Sequence, residues 1–189
     1  MTKPHRYCQS KRCMFNEVET PEDARCPRVT LPVTARLTVS DRKSTSGYMV
    51  KLGDSLINWT SRKQHSVALS TCEAEYIALS SASQECVWMR RMLRDLGQHI
   101  DEPTPIKSDN MSGISWADGE KIPWKRAKHI DVRFHYVREL INLREVEIGY
   151  VPTHENDADI LTKPLGRVAF RTILDRIGIE PKSRRSDKI

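Results

Sequence analysis

No stretch of these 189 residues approaches the roughly 18 consecutive apolar residues of a membrane-spanning helix. A membrane is therefore not expected among the partners. The opening residues, MTKPHRYCQSKRCMF, lack the apolar centre of a secretory signal. Cysteine is scarce and odd in number: Cys8, Cys13, Cys26, Cys72 and Cys86, with no regular spacing. That pattern is not a disulfide framework and points to reduced thiols in an intracellular setting, cytoplasm or nucleus. The spacing of His5, Cys8, Cys13 and Cys26 matches no common zinc finger. No internal repeat is visible, and aromatic residues make up only 6% of the chain.

What is abundant is charge, at 30% of residues, with a formal net charge of +6 and a pI near 9.1. A basic balance favours polyanionic partners, although a solvated basic surface explains it equally well. The pattern divides the chain into three. Residues 1–32 read as a poorly ordered leader, with charges, prolines and no lasting period. Residues 33–180 carry the folded domain, and 181–189 form a basic, disordered tail.

Within the domain, VTARLTV at 33–39 alternates apolar and polar residues, as a half-buried strand does. Residues 48–60 read as two strands around GDS. SVAL at 66–69 extends a further strand or leads into the next helix. A long helix is expected from Thr71 to Leu96, stopped by Gly97. A short strand follows at 104–110, then a short helix in MSGISWADG and a second long helix from Lys128 to Leu143. VEIGYVPT at 146–153 is a strand. DADILTK begins a helix that Pro164 interrupts and RVAFRTILDRIGI resumes. Strands followed by alternating helices and strands imply an α/β fold, a mixed sheet covered by helices.

Glu73 and Glu75 lie two apart at the start of the first long helix, so they cannot share a face. From Glu75 the helical row runs through Leu79, Ala82, Cys86, Met89, Leu93 and Leu96, the apolar seam. From Glu73 it runs through Ile77, Ser80, Gln84 and Trp88 or Arg91, a mostly polar face. Ser70 and Glu73 make the S-x-x-E capping box, which gives Glu73 a structural role. Glu75 faces the core without that excuse; it either reaches water at the rim or belongs to a site. Two further acids stand at strand–helix junctions. Asp109 ends the strand TPIKSD and could cap the helix after it. Asp159 sits in the first turn after VEIGYVPT, where Asp157 fills the capping role. Three acids at three such junctions suit a hard divalent cation such as Mg²⁺, and phosphodiester cleavage uses such clusters. In KHIDVRFHYVRELI, Ile130, Phe134, Val137 and Leu140 or Ile141 form an apolar stripe, so that helix is mainly packing.

The segments DRKSTSGYMVKLGDSLINWTSRKQHSVALSTCEAEYIALS, IKSDNMSGI, KHIDVRFHYVREL and YVPTHENDADILTKPL, in that order, resemble the ribonuclease H region of the Pol polyprotein of Ty1/copia-type LTR retrotransposons. The resemblance runs from about Asp41 to Leu165. It implies an RNase H-like fold, a mixed five-stranded sheet with flanking helices. It implies hydrolysis of the RNA strand of RNA/DNA hybrids with two Mg²⁺ ions, and no small-molecule substrate. It assigns the metal-binding, catalytic roles to Glu75, Asp109 and Asp159, and places His154 where such enzymes carry a histidine that assists turnover. The reverse transcriptase region of the parent polyprotein is the implied protein partner. Arg62, Lys63, Lys125, Arg126, Lys128 and His129 are candidates for nucleic-acid contact.

The chain departs from that family at its front. Members carry a metal-binding aspartate on the first strand, in a motif like DADWAGD just before DRKSTSGY. Here VTLPVTARLTV stands there, with no acid between Asp23 and Asp41. A gap-free count puts Pro32 at the aspartate's place and Thr34 at the motif's second acid. The first strand is thus replaced or degenerate, with Asp41 the only nearby substitute. Three functions remain open: a hybrid-cutting enzyme, impaired by the lost ligand; a non-catalytic nucleic-acid-binding domain; and a transposon remnant.

Overall fold

The computed structural model describes residues 29–37, 42–53, 55–98, 100–117 and 128–180. Five strands form one sheet: β1 (Val29–Leu37), β2 (Ser44–Leu52), β3 (Ser55–Lys63), β4 (Thr104–Ser108) and β5 (Val146–Tyr150). The helices are α1 (Thr71–Asp95), α2 (Met111–Ala117), α3 (Lys128–Asn142) and α4 (Arg167–Arg176). β5 ends at Tyr150 rather than at residue 153, and a 3₁₀ turn, Thr153–Glu155, follows it; a second, Asp157–Leu161, stands where the sequence suggested the start of a helix. The strand order is β3-β2-β1-β4-β5. β1 pairs antiparallel with β2 and parallel with β4, so the sheet is mixed, as expected.

The segment without an acid supplies the central strand. It begins at Val29, ahead of the expected Val33. Val29, Leu31 and Val33 are fully buried and join the main core with α1 and α3. Pro32 and Thr34, on alternate positions, are buried as well. A central strand covered on both faces buries both of its sides, so an amphipathic pattern is not required of it. Pro32 leaves a mark. The ladder to β2 pairs Thr30 with Lys51 and resumes at Val33 with Tyr48, without slipping register. Proline has no N–H to give to a ladder, which accounts for the interruption.

The hairpin β2–β3 is longer than expected at both ends and turns at Gly53, whose φ of +61° suits glycine. SVAL leads into α1 without forming a strand. The α1 seam is as read from the sequence: Leu79, Ala82, Cys86, Met89 and Leu93 are buried. Leu96 is exposed, because the helix ends at Asp95 and Gly97 takes a φ of +79°. A second, smaller core lies around the Asp157–Leu161 turn and α4, formed by Met49, Ala158, Ile173 and Ile177. Among the described residues, no helix is long and apolar enough to cross a membrane.

Arg90, buried on α1, fastens the helix to the strands beside it. Its guanidinium donates to the Glu102 and Ile100 carbonyls at 2.8 and 2.9 Å and to Thr104 Oγ1 at 2.9 Å. Its Nε donates to Glu145, just before β5. A buried guanidinium with this many acceptors costs little in place and much to remove. Arg90→Met is expected to destabilise the fold by about 3 kcal/mol or more, read as a lower urea midpoint with an unchanged slope.

Candidate active site

Two of the three acids leave helix capping to a neighbour. At the start of α2, Asn110 Oδ1 accepts the Gly113 amide at 2.9 Å, so Asn110 is the cap and Asp109 is released from that role. At the Asp157–Leu161 turn, Asn156 Oδ1 accepts the Ala158 amide at 3.2 Å. The cap is therefore Asn156, not Asp157 as the sequence suggested. Asp157 instead holds Lys51 of β2 at 3.2 Å and lies 2.8 Å from Arg176 Nε of α4. Glu73 does cap. Its amide donates to Ser70 Oγ at 3.1 Å, while its carboxylate takes the Leu69 amide at 2.8 Å. Its row is polar, yet Glu73, Ile77 and Ser80 are all buried, because both sides of the first turns of α1 are covered.

Glu75 points the other way, toward the end of β1, and is only 9% exposed. It does not escape to water. The Ala35 backbone amide hydrogen-bonds its carboxyl group, and Oε2 has no partner. Burial is the main reason its pKa is pushed up to about 8. The Ala35 hydrogen bond and Lys163 oppose that rise, and the charges of Asp109 and Asp159 add to it. Asp109, at the end of β4, and Asp159, in the Asp157–Leu161 turn, therefore both act on Glu75 of α1.

Asp109 follows Ser108, the last residue of β4, and is half-buried. Ser108 pairs with Val33, so the next β1 residue, Thr34, stands level with Asp109. Pro32, favoured by counting along the sequence, pairs with Lys107 instead. Thr34 is fully buried and its Oγ1 has no hydrogen-bond partner. Asp159 is buried, with the Lys163 ammonium 2.7 Å from each of its carboxylate oxygens.

The turn that carries Asp159 lies tightly on the sheet. A Cβ on Gly47, in β2, would stand 2.8 Å from Thr162 Cγ2 and 2.9 Å from Leu161 Cβ. The Asn156 side-chain amide donates to the Val33 carbonyl of β1 at 3.0 Å. Sequence reasoning missed both Asn156 and Lys163. The Asp159–Lys163 spacing of four was a readable signal for the second.

The other candidates are less tightly placed. His154, in the first 3₁₀ turn, is exposed and lies 3.4 Å from Glu155. It is not among the groups acting on Glu75. Arg62 and Lys63 end β3 on an exposed stretch, opposite Ser46 and Thr45 of β2. Lys128 and His129 occupy the first turn of α3. Lys125, Arg126, Asp41, His5, Cys8, Cys13 and Cys26 lie outside the described residues.

The expected Mg²⁺ pair can be tested against this donor set. Hard oxygen donors are present, and Glu75 Oε2 and Asp159 Oδ1 lack aligned donors. However, β1 contributes a hydroxyl where the resemblance calls for a carboxylate, and an ammonium already sits on Asp159. Among the described residues, no three His, Cys, Asp or Glu side chains form a group that could hold a metal ion. As arranged, the residues do not fit the ion pair.

In the fold Glu75 binds its proton more tightly than in the unfolded chain, whose value is near 4.5. Stability from this group is complete on the acid side and is lost as pH rises from there through about 8. Gln cannot ionise, so Glu75→Gln should remove that loss. In a chelator, the melting temperature of the variant should gain on the parent chain as pH rises from about 5 to about 9. Parallel profiles would contradict the burial of this carboxyl group.

No protein-family model matches the chain. The chain is 37% identical over 141 residues to the retrovirus-related Pol polyprotein from transposon TNT 1-94 of Nicotiana tabacum, covering 75% of this chain and 10% of that one. It is 37% identical over 139 residues to the Pol polyprotein from transposon RE2 of Arabidopsis thaliana, covering 74% and 10%. The chain thus spans about a tenth of the length of these curated relatives. Among solved structures, LC11-RNase H1 in complex with RNA/DNA hybrid superposes with a TM-score of 0.54 at 12% identity, covering 71% of this chain and 94% of that one. The N-terminal RNase H domain of a Mycobacterium tuberculosis protein gives 0.53 at 14%, covering 79% and 97%. By sequence the chain belongs with the retrovirus-related Pol polyproteins of copia-type transposons, and by fold it is an RNase H-like domain.

Proposed function

We propose that this chain is an RNase H-like domain that binds RNA/DNA hybrids but is impaired in cutting the RNA strand, the reaction its resemblance implies. One observation carries the reading. Glu75, Asp109 and Asp159 converge electrostatically, while the β1 position level with Asp109 holds Thr34. The three acids support descent from an enzyme, and the missing fourth supports loss of its chemistry. Removing one preorganised charged group from such a site lowers rates by on the order of 10²- to 10³-fold. A solved relative in fold was captured with an RNA/DNA hybrid, which supports that partner. The reverse transcriptase region of a parent polyprotein is the second partner, supported by the Pol polyprotein relatives. An intracellular setting goes with both.

In this reading the chain's own residues do limited work. Arg62, Lys63, Lys128 and His129 take backbone phosphates, so affinity falls steeply with salt. The hybrid is read by duplex shape and 2′-hydroxyls, not by base sequence. Glu75, Asp109 and Asp159 form the acidic floor beside the phosphate to be cut, and His154 stands at its exposed edge.

Cleavage of a labelled RNA/DNA hybrid in Mg²⁺ tests this, with Asp109→Asn as control. The expected result is salt-sensitive binding with cleavage at or near background. Thr34→Asp should raise cleavage above the parent chain by about tenfold or more. Strong cleavage by the parent chain that Asp109→Asn abolishes would mean that three acids suffice. Folded protein without hybrid binding would leave the remnant reading.

A further inference from the structure

Lys163 plays no part in the function described so far, yet its ammonium makes a close polar contact with the acid cluster. Its ammonium lies 2.7 Å from both oxygens of Asp159, which is 5% exposed. The backbone holds it there. The Lys163 amide donates to the Asp159 carbonyl at 2.9 Å, closing one turn of chain between the two residues. Pro164 follows, and a residue before proline has a restricted backbone. The lysine is therefore aimed back onto the carboxylate rather than free to sweep through solvent.

A surface pair at this spacing would be worth little. This pair is different because of its surroundings. Glu75 Oε2 is buried without a partner, and Asp159 Oδ1 has no aligned donor despite the nearby ammonium. Thr34 Oγ1 and Thr162 Oγ1 are unpartnered as well. Buried oxygens with unused acceptor capacity thus lie on each of the segments that build the site: β1, α1 and the Asp157–Leu161 turn with the residue after it. Lys163 also acts electrostatically on Glu75, in opposition to Asp109 and Asp159.

We propose that Lys163 is the resident cation of this cluster, so that a divalent cation reaches Asp159 only by displacing the lysine ammonium. The site is then self-neutralised: a +1 charge on a flexible stem stands where the acids would otherwise draw a +2 ion. Two cations cannot share the same carboxylate oxygens at contact distance without strong repulsion. The lysine on Asp159 is one source of the disagreement with a metal pair, and the Thr34 hydroxyl is another. This inference goes beyond hybrid binding and does not rest on nuclease activity; its test uses metal alone.

The probe is Mn²⁺, titrated into the full chain without nucleic acid and followed by loss of the free-ion paramagnetic resonance signal. The variants are Lys163→Met, close in length without the charge, and Lys163→Arg, which keeps the charge. Lys163→Met is expected to bind Mn²⁺ about tenfold or more tightly than the parent chain, and Lys163→Arg is expected to resemble the parent. In chelator Lys163→Met should melt lower, and Mn²⁺ should restore it by mass action. Equal Mn²⁺ affinity in the parent chain and Lys163→Met, or no binding by either, would overturn the proposal. The unmodified chain provides a second measurement that needs no variant to fold. With ¹⁵N-lysine, Mg²⁺ should shift or broaden the Lys163 side-chain signal as the ammonium leaves Asp159. Mg²⁺ that shifts the Asp159 amide while leaving that signal unchanged would overturn it equally.

Discussion

The acid cluster depends on how closely the Asp157–Leu161 turn lies on the sheet. That distance is set by the absence of a Cβ at Gly47, whose place Thr162 and Leu161 fill. It is fixed from the other side by Asn156, which reaches the Val33 carbonyl of the central strand. Asp157 adds a third hold by pairing with Lys51 and Arg176. The segment between them has little freedom, and Asp159 is delivered over the end of β1 as a result. Glu75 arrives by an independent route, on the second turn of a helix anchored by its Ser70 cap and, far along, by Arg90. Asp109 arrives by a third, at the end of β4. Convergence of three such routes requires the sheet order itself, in which β1 separates β2 from β4.

Burial then decides the electrostatics. Three carboxyl groups near one another are tolerated in a fold only if water, a cation or a proton relieves them. Glu75 is relieved by a proton at neutral pH, because burial outweighs the Ala35 hydrogen bond and the pull of Lys163. Asp159 is relieved by the Lys163 ammonium. Asp109, half-buried, keeps contact with water. One site thus relieves its three carboxyl groups in three different ways.

Much of this was legible in the sequence. The helical row through Glu75 separated it from Glu73 before any coordinates, because a two-residue step on a helix cannot hide. The α1 seam, the β2–β3 hairpin and the strand–helix junction of Asp109 followed from period and punctuation, whereas Asp159 lies in a 3₁₀ turn and not in the expected helix. What stayed hidden was register. Counting along the chain favoured Pro32 as the replacement of the missing acid, whereas the β1–β4 pairing puts Thr34 level with Asp109. Counting assumes that the first strand enters at the same offset, and only hydrogen bonding across the sheet fixes that. Capping was misassigned for a related reason. Asp157 and Asn156 are equally good caps by type, and the tie is broken by the side chain that the turn directs at the Ala158 amide.

The interrupted ladder at Pro32 has a further meaning. The central strand carries a proline and no acid, and the sheet holds it with one gap and no slip of register. Shape here is a collective property: many residues vote, and a run of valines and leucines carries the majority whatever its origin. Chemistry has no such electorate, since one side chain at one address holds a veto. A fold of this kind tolerates change along a whole strand while its chemistry stays hostage to single positions, so shape is the better record of ancestry and side chains the better record of use.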